Sequence, residues 1–124
     1  MRLGIAGAGM IVRGLFTFIH DVEGIELEAI ASTEKSIDKV RKLAKENHVK
    51  KAYLNYDELL NDDDIDVMYI ATPNHLHYQM CKQALEKGKQ VICEKPFTSR
   101  VEELEELSQI AKEKNLFLLE AIST

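Results

Sequence analysis

The chain has 124 residues, of which 45% are hydrophobic and 30% are charged, and its formal net charge is -5. This length suits one domain with a single hydrophobic core, and the negative charge argues against general binding to nucleic acids or membrane surfaces. No stretch reaches the roughly 18 apolar residues that a bilayer-spanning helix needs, and the N-terminal residues lack a signal-peptide pattern, so we expect a cytoplasmic protein.

Strands and helices alternate through the first half of the chain. After residue 36, apolar residues recur at helical spacing, with Ile37, Val40 and Ala44 on one face. In chain order we predict a strand over 2–6, a turn over 7–9, a helix over 10–20, a strand over 25–31, a helix from about 36 to 47, a strand over 52–54, a one-turn helix over 56–60 and an exposed acidic loop over 61–64.

The second half continues this alternation. Gly88 is predicted to end a helix in the C′ position, and Ser99 followed by Glu102 forms a capping box that would open the last helix. The elements predicted in order are a strand over 66–71 that is apolar on both faces, a TPNH loop over 72–75, a helix from about 76 to 87, a strand over 90–93, a helix after Ser99 and a final strand over 116–121.

Charged clusters and cysteines add little functional signal. The six Lys and Arg residues between Lys39 and Lys51 form the one basic cluster, which we interpret as the solvated face of a helix and its exit. Cys81 and Cys93 lie inside apolar runs, which predicts two small buried thiols in a reducing compartment. They form no CxxC pair and zinc needs about four ligands, so we predict no metal site.

Apolar strands that alternate with helices predict an α/β fold with a parallel sheet covered on both faces. Right-handed crossovers leave few topologies, and a glycine-rich first turn selects the doubly wound, Rossmann-type dinucleotide-binding fold with strand order 3-2-1-4-5-6. In such a sheet, ligands bind beyond the carboxyl ends of the strands, where the strand order reverses. The segments GAG, ATPNHLH and CEKP, at the ends of strands 1, 4 and 5, should therefore converge on one edge.

The turn after the first strand predicts a phosphate site. Gly7 permits a tight turn, and Gly9 lets the backbone approach a pyrophosphate. The first N–H groups of the next helix, at Met10 and Ile11, offer partial positive charge to that anion. Val12 replaces the third glycine of the fingerprint, which shifts the helix outward without removing the phosphate site. The alternative is a tight turn that binds nothing.

The end of the second strand bears on the choice of cofactor. Ser32 and Thr33 come at the strand tip, followed by Glu34 and Lys35. An NAD-preferring site places a carboxylate at the tip to accept from the ribose 2′-OH, whereas a nearby cation accommodates the 2′-phosphate of NADP. Neutral hydroxyls at the tip favour NADP, with Ser32, Thr33 and Lys35 around its phosphate. Glu34 could swing to the ribose, so NAD stays an alternative, and the segment could also simply cap the next helix.

The segment ATPNHLH follows the fourth strand. Pro73 stops the strand and sets the loop, and Thr72 and Asn74 place short hydrogen-bonding side chains beside the expected path of the cofactor. Asn74 can also cap the next helix. His75 and His77 diverge on a helix, and His77, in the first turn, is the one that we expect to face the cofactor.

The fifth strand leads into Glu94, Lys95 and Pro96. Lys95 is predicted at the nicotinamide end of the cofactor, with the adjacent Glu94 as the partner of its ammonium group. A lysine tuned toward neutrality can exchange a proton with a substrate hydroxyl as hydride moves to or from the ring. Pro96 ends the strand and aims the two side chains. From position alone, an exposed ion pair between Glu94 and Lys95 is an equal alternative.

These segments together resemble the N-terminal part of the Gfo/Idh/MocA family, the glucose-fructose oxidoreductase and inositol dehydrogenase group. The matching residues are GIAGAGMI at the start, the run from DVMYIATPNHLH to CEKPFTS in the middle, and LLEA at the end. The resemblance implies that Lys95 lies by the nicotinamide and serves in substrate binding and proton transfer. It also implies that Thr72, Asn74 and His77 line the cofactor, and that a neutral residue such as Ser32 belongs to the NADP-using branch.

The resemblance covers about the first third of family members. It implies that residues 1–124 form the NAD(P)-binding domain, and that a C-terminal substrate domain, absent from this chain, supplies most of the substrate pocket and any homo-oligomer interface. We expect a parent enzyme that moves hydride between NADP, or NAD, and a hydroxyl of a small sugar, cyclitol or diol, with the 124-residue chain alone inactive. A non-catalytic NAD(P)-sensing module and a domain without nucleotide are the alternatives; Lys95, superfluous for sensing, favours the enzyme.

Overall fold

A computed structural model of the protein describes residues 1–7, 24–31, 37–72, 74–94 and 100–121, with only the backbone at 74, 120 and 121. Within those ranges, no helix has the length and apolar character needed to cross a membrane. The predicted helix over 10–20 falls outside the described residues.

Six strands form one parallel sheet in the order β3-β2-β1-β4-β5-β6, which confirms the predicted fold class and strand order. Each predicted strand appears within one or two residues of its expected bounds. The strands are β1 at Arg2–Ala6, β2 at Glu26–Ala31, β3 at Lys51–Tyr53, β4 at Val67–Ile70, β5 at Gln90–Glu94 and β6 at Leu118–Ala121.

The helices of the described ranges follow the predicted order as well. A 3-10 turn at Asn74–Leu76 leads directly into the helix that begins at His77. The α-helices are α1 at Ile37–Glu46, α2 at Tyr56–Leu60, α3 at His77–Glu86 and α4 at Val101–Glu113.

The end of α3 was predicted correctly and the start of α4 was not. Gly88 has a left-handed φ of +81° and its N–H donates to the Leu85 carbonyl at 2.9 Å, which confirms the C′ glycine. Helix α4 begins one residue later than a cap at Ser99 requires. Arg100 occupies the N-cap position in an extended conformation, without a side-chain capping bond, so Glu102 is the second helical residue and the predicted capping box is wrong.

The sheet lies between α1 on one face and α2, α3 and α4 on the other. Buried side chains form one cluster on each face, and β4 contributes to both because its successive side chains alternate. Val67 and Tyr69 pack in the cluster under α1, whereas Met68 and Ile70 pack under the other helices. Cys81 and Cys93 are fully buried and form no disulfide, which confirms two buried thiols.

Strand β2 contains a β-bulge. The pairing register with β1 shifts between Leu3 and Gly4, so that Glu28 is an extra residue on the β2 side. Because the bulge shifts the alternation by one position, Leu27 and Ile30, three residues apart, pack in the same cluster. The bulge also places the carboxylate of Glu28 inside the fold, where 3% of the residue is exposed.

Charged residues of β1, β2 and β3, and of the segments directly before β4 and β5, form a network that we call the amino-terminal edge. At its centre, the Nζ atom of Lys51 lies 3.0 Å from Glu28, 3.0 Å from Asp62 and 2.9 Å from Asp64. The buried Lys89 donates to the Asp62 carbonyl at 2.8 Å. Three carboxylates around one ammonium replace much of the hydration that each group loses.

This network overturns two sequence-based expectations. Asp62 belongs to the loop that we predicted to be exposed, yet it is only 8% exposed because Lys51 and Tyr53 reach it from β3. Lys51 was interpreted as part of a solvated helix exit, but it is the half-buried first residue of β3. The cluster members Lys39 and Lys50 are exposed, as expected.

Candidate functional site

The carboxyl ends of β1, β2 and β4 meet at Gly7. The N–H of Gly7 donates to the Ala31 carbonyl at 2.9 Å, and the N–H of Ala71 donates to the Ala6 carbonyl at 2.8 Å. Gly7 has a φ of +122°, and a Cβ atom there would lie 2.3 Å from the carbonyl oxygen of Ala71. Only glycine fits a backbone that both adopts this angle and touches the neighbouring strand. The first turn and the exit of β4 therefore share one edge of the sheet, which we call the carboxyl-terminal edge.

Thr72 follows Ala71 at this edge and uses its polar groups within the fold. Its hydroxyl donates to the Met80 sulfur at 3.2 Å, and its carbonyl lies 2.6 Å from Nε2 of His77. Since a carbonyl only accepts, Nε2 of His77 carries the proton in this contact. His77 is 1% exposed, so this bond links the first turn of α3 to the exit of β4 in the interior. Contact of Thr72 or His77 with a cofactor stays a prediction.

Tyr69 and Glu94 form a second buried contact at the same edge. The Tyr69 hydroxyl donates to Oε1 of Glu94 at 2.9 Å, with Tyr69 9% and Glu94 7% exposed. Burial, and then the hydrogen bond to the carboxylate, raise the pKa of Tyr69, so its hydroxyl remains a proton donor. Tyr69 was not among the site residues predicted from the sequence. Its register partner is Ile92, two residues before Glu94, and alternation puts both on one face of β5, so the pairing register would have been the signal.

Several predicted site residues lie outside the described residues, and their roles stay predictions. The described neighbours bring the start of each predicted segment to the carboxyl-terminal edge: Gly7 and Ala31 are hydrogen-bonded, and Glu94 is tied to β4 through Tyr69. Asn74 is described in its backbone alone. The site residues outside the described ranges are Gly9, Met10, Ile11, Ser32, Thr33, Lys35, Pro73 and Lys95.

Histidine and acidic side chains are also possible ligands of a metal ion. His75 is exposed on the 3-10 turn, apart from the buried His77. In the part of the chain that the structure describes, no group of three or more His, Cys, Asp or Glu side chains is arranged to hold a metal ion.

The described part of the carboxyl-terminal edge lies where a doubly wound sheet binds a dinucleotide. A glycine turn at the end of β1, close against β4 and beside β2, is where the doubly wound sheet places a pyrophosphate. Gly7 has no side chain, and a Cβ atom added to it would clash with the backbone of Ala71 at this edge. The fold and this edge define the class of the protein as a dinucleotide-binding domain.

Comparison with known proteins identifies the family. The model of the Gfo/Idh/MocA oxidoreductases, described as an oxidoreductase family with an NAD-binding Rossmann fold, matches residues 1–121. The chain belongs to this family, so it is an NAD-binding oxidoreductase domain.

The relatives act on different substrates. The chain is 33% identical to the trans-1,2-dihydrobenzene-1,2-diol dehydrogenase of Bos taurus and 32% identical to an NADP(+)-dependent scyllo-inositol 2-dehydrogenase of Bacillus subtilis, in each case over 100% of this chain and 37% of the relative. The 3-ketoreductase KijD10 of Actinomadura kijaniata, solved with NADP and TDP-benzene, superimposes with a TM-score of 0.90 at 30% identity, over 97% of this chain and 36% of that one. The chain thus spans little more than a third of the length of these relatives.

Proposed function

We propose that this chain is the NADP-binding domain of an enzyme that transfers hydride between the nicotinamide and a hydroxyl of a sugar, cyclitol or diol. The family membership supports the cofactor class. The relatives named as diol and inositol dehydrogenases support a hydroxyl-bearing small molecule as the substrate. The substrate pocket would be completed by a C-terminal domain.

The contact of Gly7 with the exit of β4 carries the proposal. A Cβ atom at residue 7 would lie 2.3 Å from the Ala71 carbonyl oxygen, so the backbone of the first turn is held directly against the strand whose end begins the TPNH segment. This contact supports a pyrophosphate site in the turn, with N–H groups at Gly9, Met10 and Ile11 as its donors. Pro73 and Asn74 would line the cofactor on the β4 side.

The remaining roles belong to side chains at the other strand ends. Ser32, Thr33 and Lys35 would hold the 2′-phosphate, since hydroxyls and an ammonium are its natural partners. A bound nicotinamide supplies or accepts the hydride. Lys95 would exchange the proton of the substrate hydroxyl, and its neighbour Glu94 would fix the turn beside it.

Calorimetry with NADP and NAD tests the cofactor assignment. We expect a lower dissociation constant for NADP, and we expect Lys35→Glu to weaken NADP about tenfold, by analogy with one lost charged contact. Lys39→Glu, on the exposed face of α1, is the matched control and should change little. Preference for NAD would contradict the NADP assignment, and binding of neither nucleotide would support a domain without a cofactor.

Turnover tests the role of Lys95. In a complete enzyme containing this domain, Lys95→Ala should abolish turnover and leave cofactor affinity largely unchanged, because proton exchange is lost and the phosphate contacts remain. Lys87→Ala, exposed beyond the end of α3, is the control. Full turnover in the Lys95 variant would refute the catalytic role and favour an NAD(P)-sensing module.

A further inference from the structure

The contact between Tyr69 and Glu94 was not predicted from the sequence, because Tyr69 lies outside the segments GAG, ATPNHLH and CEKP. Tyr69 lies in the middle of β4, and Glu94 is the last residue of β5, directly before Lys95. The tyrosine ring reaches along the sheet face from its register partner Ile92 to the carboxylate two residues further on, where its hydroxyl donates at 2.9 Å. Both residues are more than nine-tenths buried.

A carboxylate in this position needs a donor. Burying an ionised carboxyl group is costly unless hydrogen bonds replace its hydration, and charge-assisted bonds are roughly twice as strong as neutral ones. The Tyr69 hydroxyl supplies one such bond from a strand that is itself fully packed. Glu94 is therefore fixed to the sheet by its side chain as well as by its backbone.

We propose that Tyr69 is a positioning residue that holds the carboxylate of Glu94 at the nicotinamide end of the cofactor site. This inference rests on the proposed function, because that function assigns Glu94 to the nicotinamide end. Loss of the hydroxyl releases the Glu94 carboxylate from the position in which it would contact this end of the cofactor. The adenosine half of the cofactor, expected between the first turn and the end of β2, does not depend on this bond.

The proposal can be tested by comparing the affinity for NADP+ with the affinity for its adenosine half alone. Calorimetry with the 124-residue chain would measure NADP+ and adenosine 2′,5′-bisphosphate, the half of NADP without the nicotinamide. We expect Tyr69→Phe to weaken NADP+ binding about five- to tenfold, which is the scale of the net contribution of one ordinary hydrogen bond, and to leave the bisphosphate affinity unchanged. A residue that merely stabilises the fold would affect both ligands equally.

Tyr53→Phe is the matched control. Tyr53 also donates to a carboxylate, Asp62, at 2.8 Å, but at the amino-terminal edge of the same sheet. It should leave the affinities for both ligands unchanged. Unlike this control, Tyr69→Phe should lose affinity for NADP+ alone.

The outcomes separate the inference from the proposed function. Equal loss of both ligands in Tyr69→Phe, or no loss of either, would overturn the positioning role while leaving a domain that binds NADP. Failure of the unmodified chain to bind either ligand would overturn both proposals.

If Tyr69→Phe does not fold, variants of Glu94 carry the same test. Glu94→Gln keeps an acceptor for the Tyr69 hydroxyl, whereas Glu94→Ala does not. We expect the Gln variant to keep a higher NADP+ affinity than the Ala variant, with equal affinity for the bisphosphate. Equal NADP+ affinities would overturn the proposal.

Discussion

The two edges of the sheet are built in opposite ways. At the amino-terminal edge, Lys51 sits within 3.0 Å of three carboxylates, and Lys89 donates to backbone carbonyls. At the carboxyl-terminal edge, the described contacts include a backbone contact at Gly7 and separate buried hydrogen bonds, from His77 to Thr72, from Thr72 to Met80 and from Tyr69 to Glu94.

The difference shows how stability and binding divide within one sheet. Opposite charges that satisfy each other leave little for a ligand to recognise, and removal of one of them destabilises the fold because its partner is left unpaired. At the carboxyl-terminal edge, the close backbone contact and the separate hydrogen bonds fix the positions of the strand ends. Ligands of doubly wound sheets bind beyond these ends. Changes at the amino-terminal edge should therefore affect stability alone, and changes at the carboxyl-terminal edge should affect binding as well.

The largest expected effect follows from Gly7→Ala. The new Cβ atom would lie 2.3 Å from the Ala71 carbonyl oxygen in a backbone with a φ of +122°. A main-chain clash and a strained conformation together should cost more than about 3 kcal/mol and abolish NADP binding. Denaturant unfolding and calorimetry measure the two effects.

Gly24→Ala is the matched control for that change. Gly24 also has a positive φ, +81°, but an added Cβ atom there meets no atom of the described residues within 4 Å. It should cost about 1 to 2 kcal/mol, the price of the left-handed conformation alone, with unchanged NADP affinity. Equal stability losses at both glycines would show that the close contact at Gly7 is unimportant.

The fold could be predicted because its signals are local. Two signals are enough to predict the parallel sheet and its strand order: apolar strands that alternate with helices, and a glycine turn after the first strand. The same reasoning brought Gly7, Thr72, His77 and Glu94 to one edge, where the structure places them.

What the sequence did not predict depends on register and on distant partners. The bulge at Glu28 is set by a slip in pairing with β1, and the bond from Tyr69 to Glu94 depends on which residues of β4 and β5 are opposite. Asp62 stands in a run of acidic residues typical of an exposed loop, and it is buried because Lys51 reaches it from β3. These contacts join residues that are distant in the sequence, so the pattern of apolar residues within one segment cannot predict them.

A moderate effect is expected for Glu28→Gln at the amino-terminal edge. The change removes a carboxylate that is 3.0 Å from Lys51 and has only 4% of its side chain exposed. Because Lys51 keeps Asp62 and Asp64, the loss should be about 1 to 2 kcal/mol, without any change in NADP affinity. Denaturant unfolding and calorimetry again separate the two.

Arg2→Ala provides the comparison for an exposed pair at that edge. Arg2 and Asp64 lie 3.5 Å apart with about half of each side chain exposed, at 50% and 57%. Its removal should cost under about 0.5 kcal/mol, since water screens such pairs. A weaker NADP affinity in the Glu28 variant would break the division between the two edges.

The last effect is the pH dependence of stability at the same edge. Burial alone would raise the pKa of Asp62, but bonds from the Tyr53 hydroxyl, the Asp64 N–H and Lys51 outweigh it and lower the pKa below its ordinary value. The folded state thus binds this proton less readily than the unfolded chain. The stability contributed by the carboxylate is complete above about pH 4 and is lost as the pH falls through the lowered pKa.

Asp62→Asn should therefore be less stable than the unmodified chain at pH 6, with the difference shrinking as the pH falls below about 4. Asp63→Asn, at the exposed neighbouring position, is the control and should show little difference at either pH. Thermal unfolding across this range measures both variants. A difference for Asp62→Asn that stays constant down to acid pH would mean that its carboxylate is not held ionised by Lys51 and Tyr53, and the amino-terminal edge would then owe its stability to packing rather than to charge.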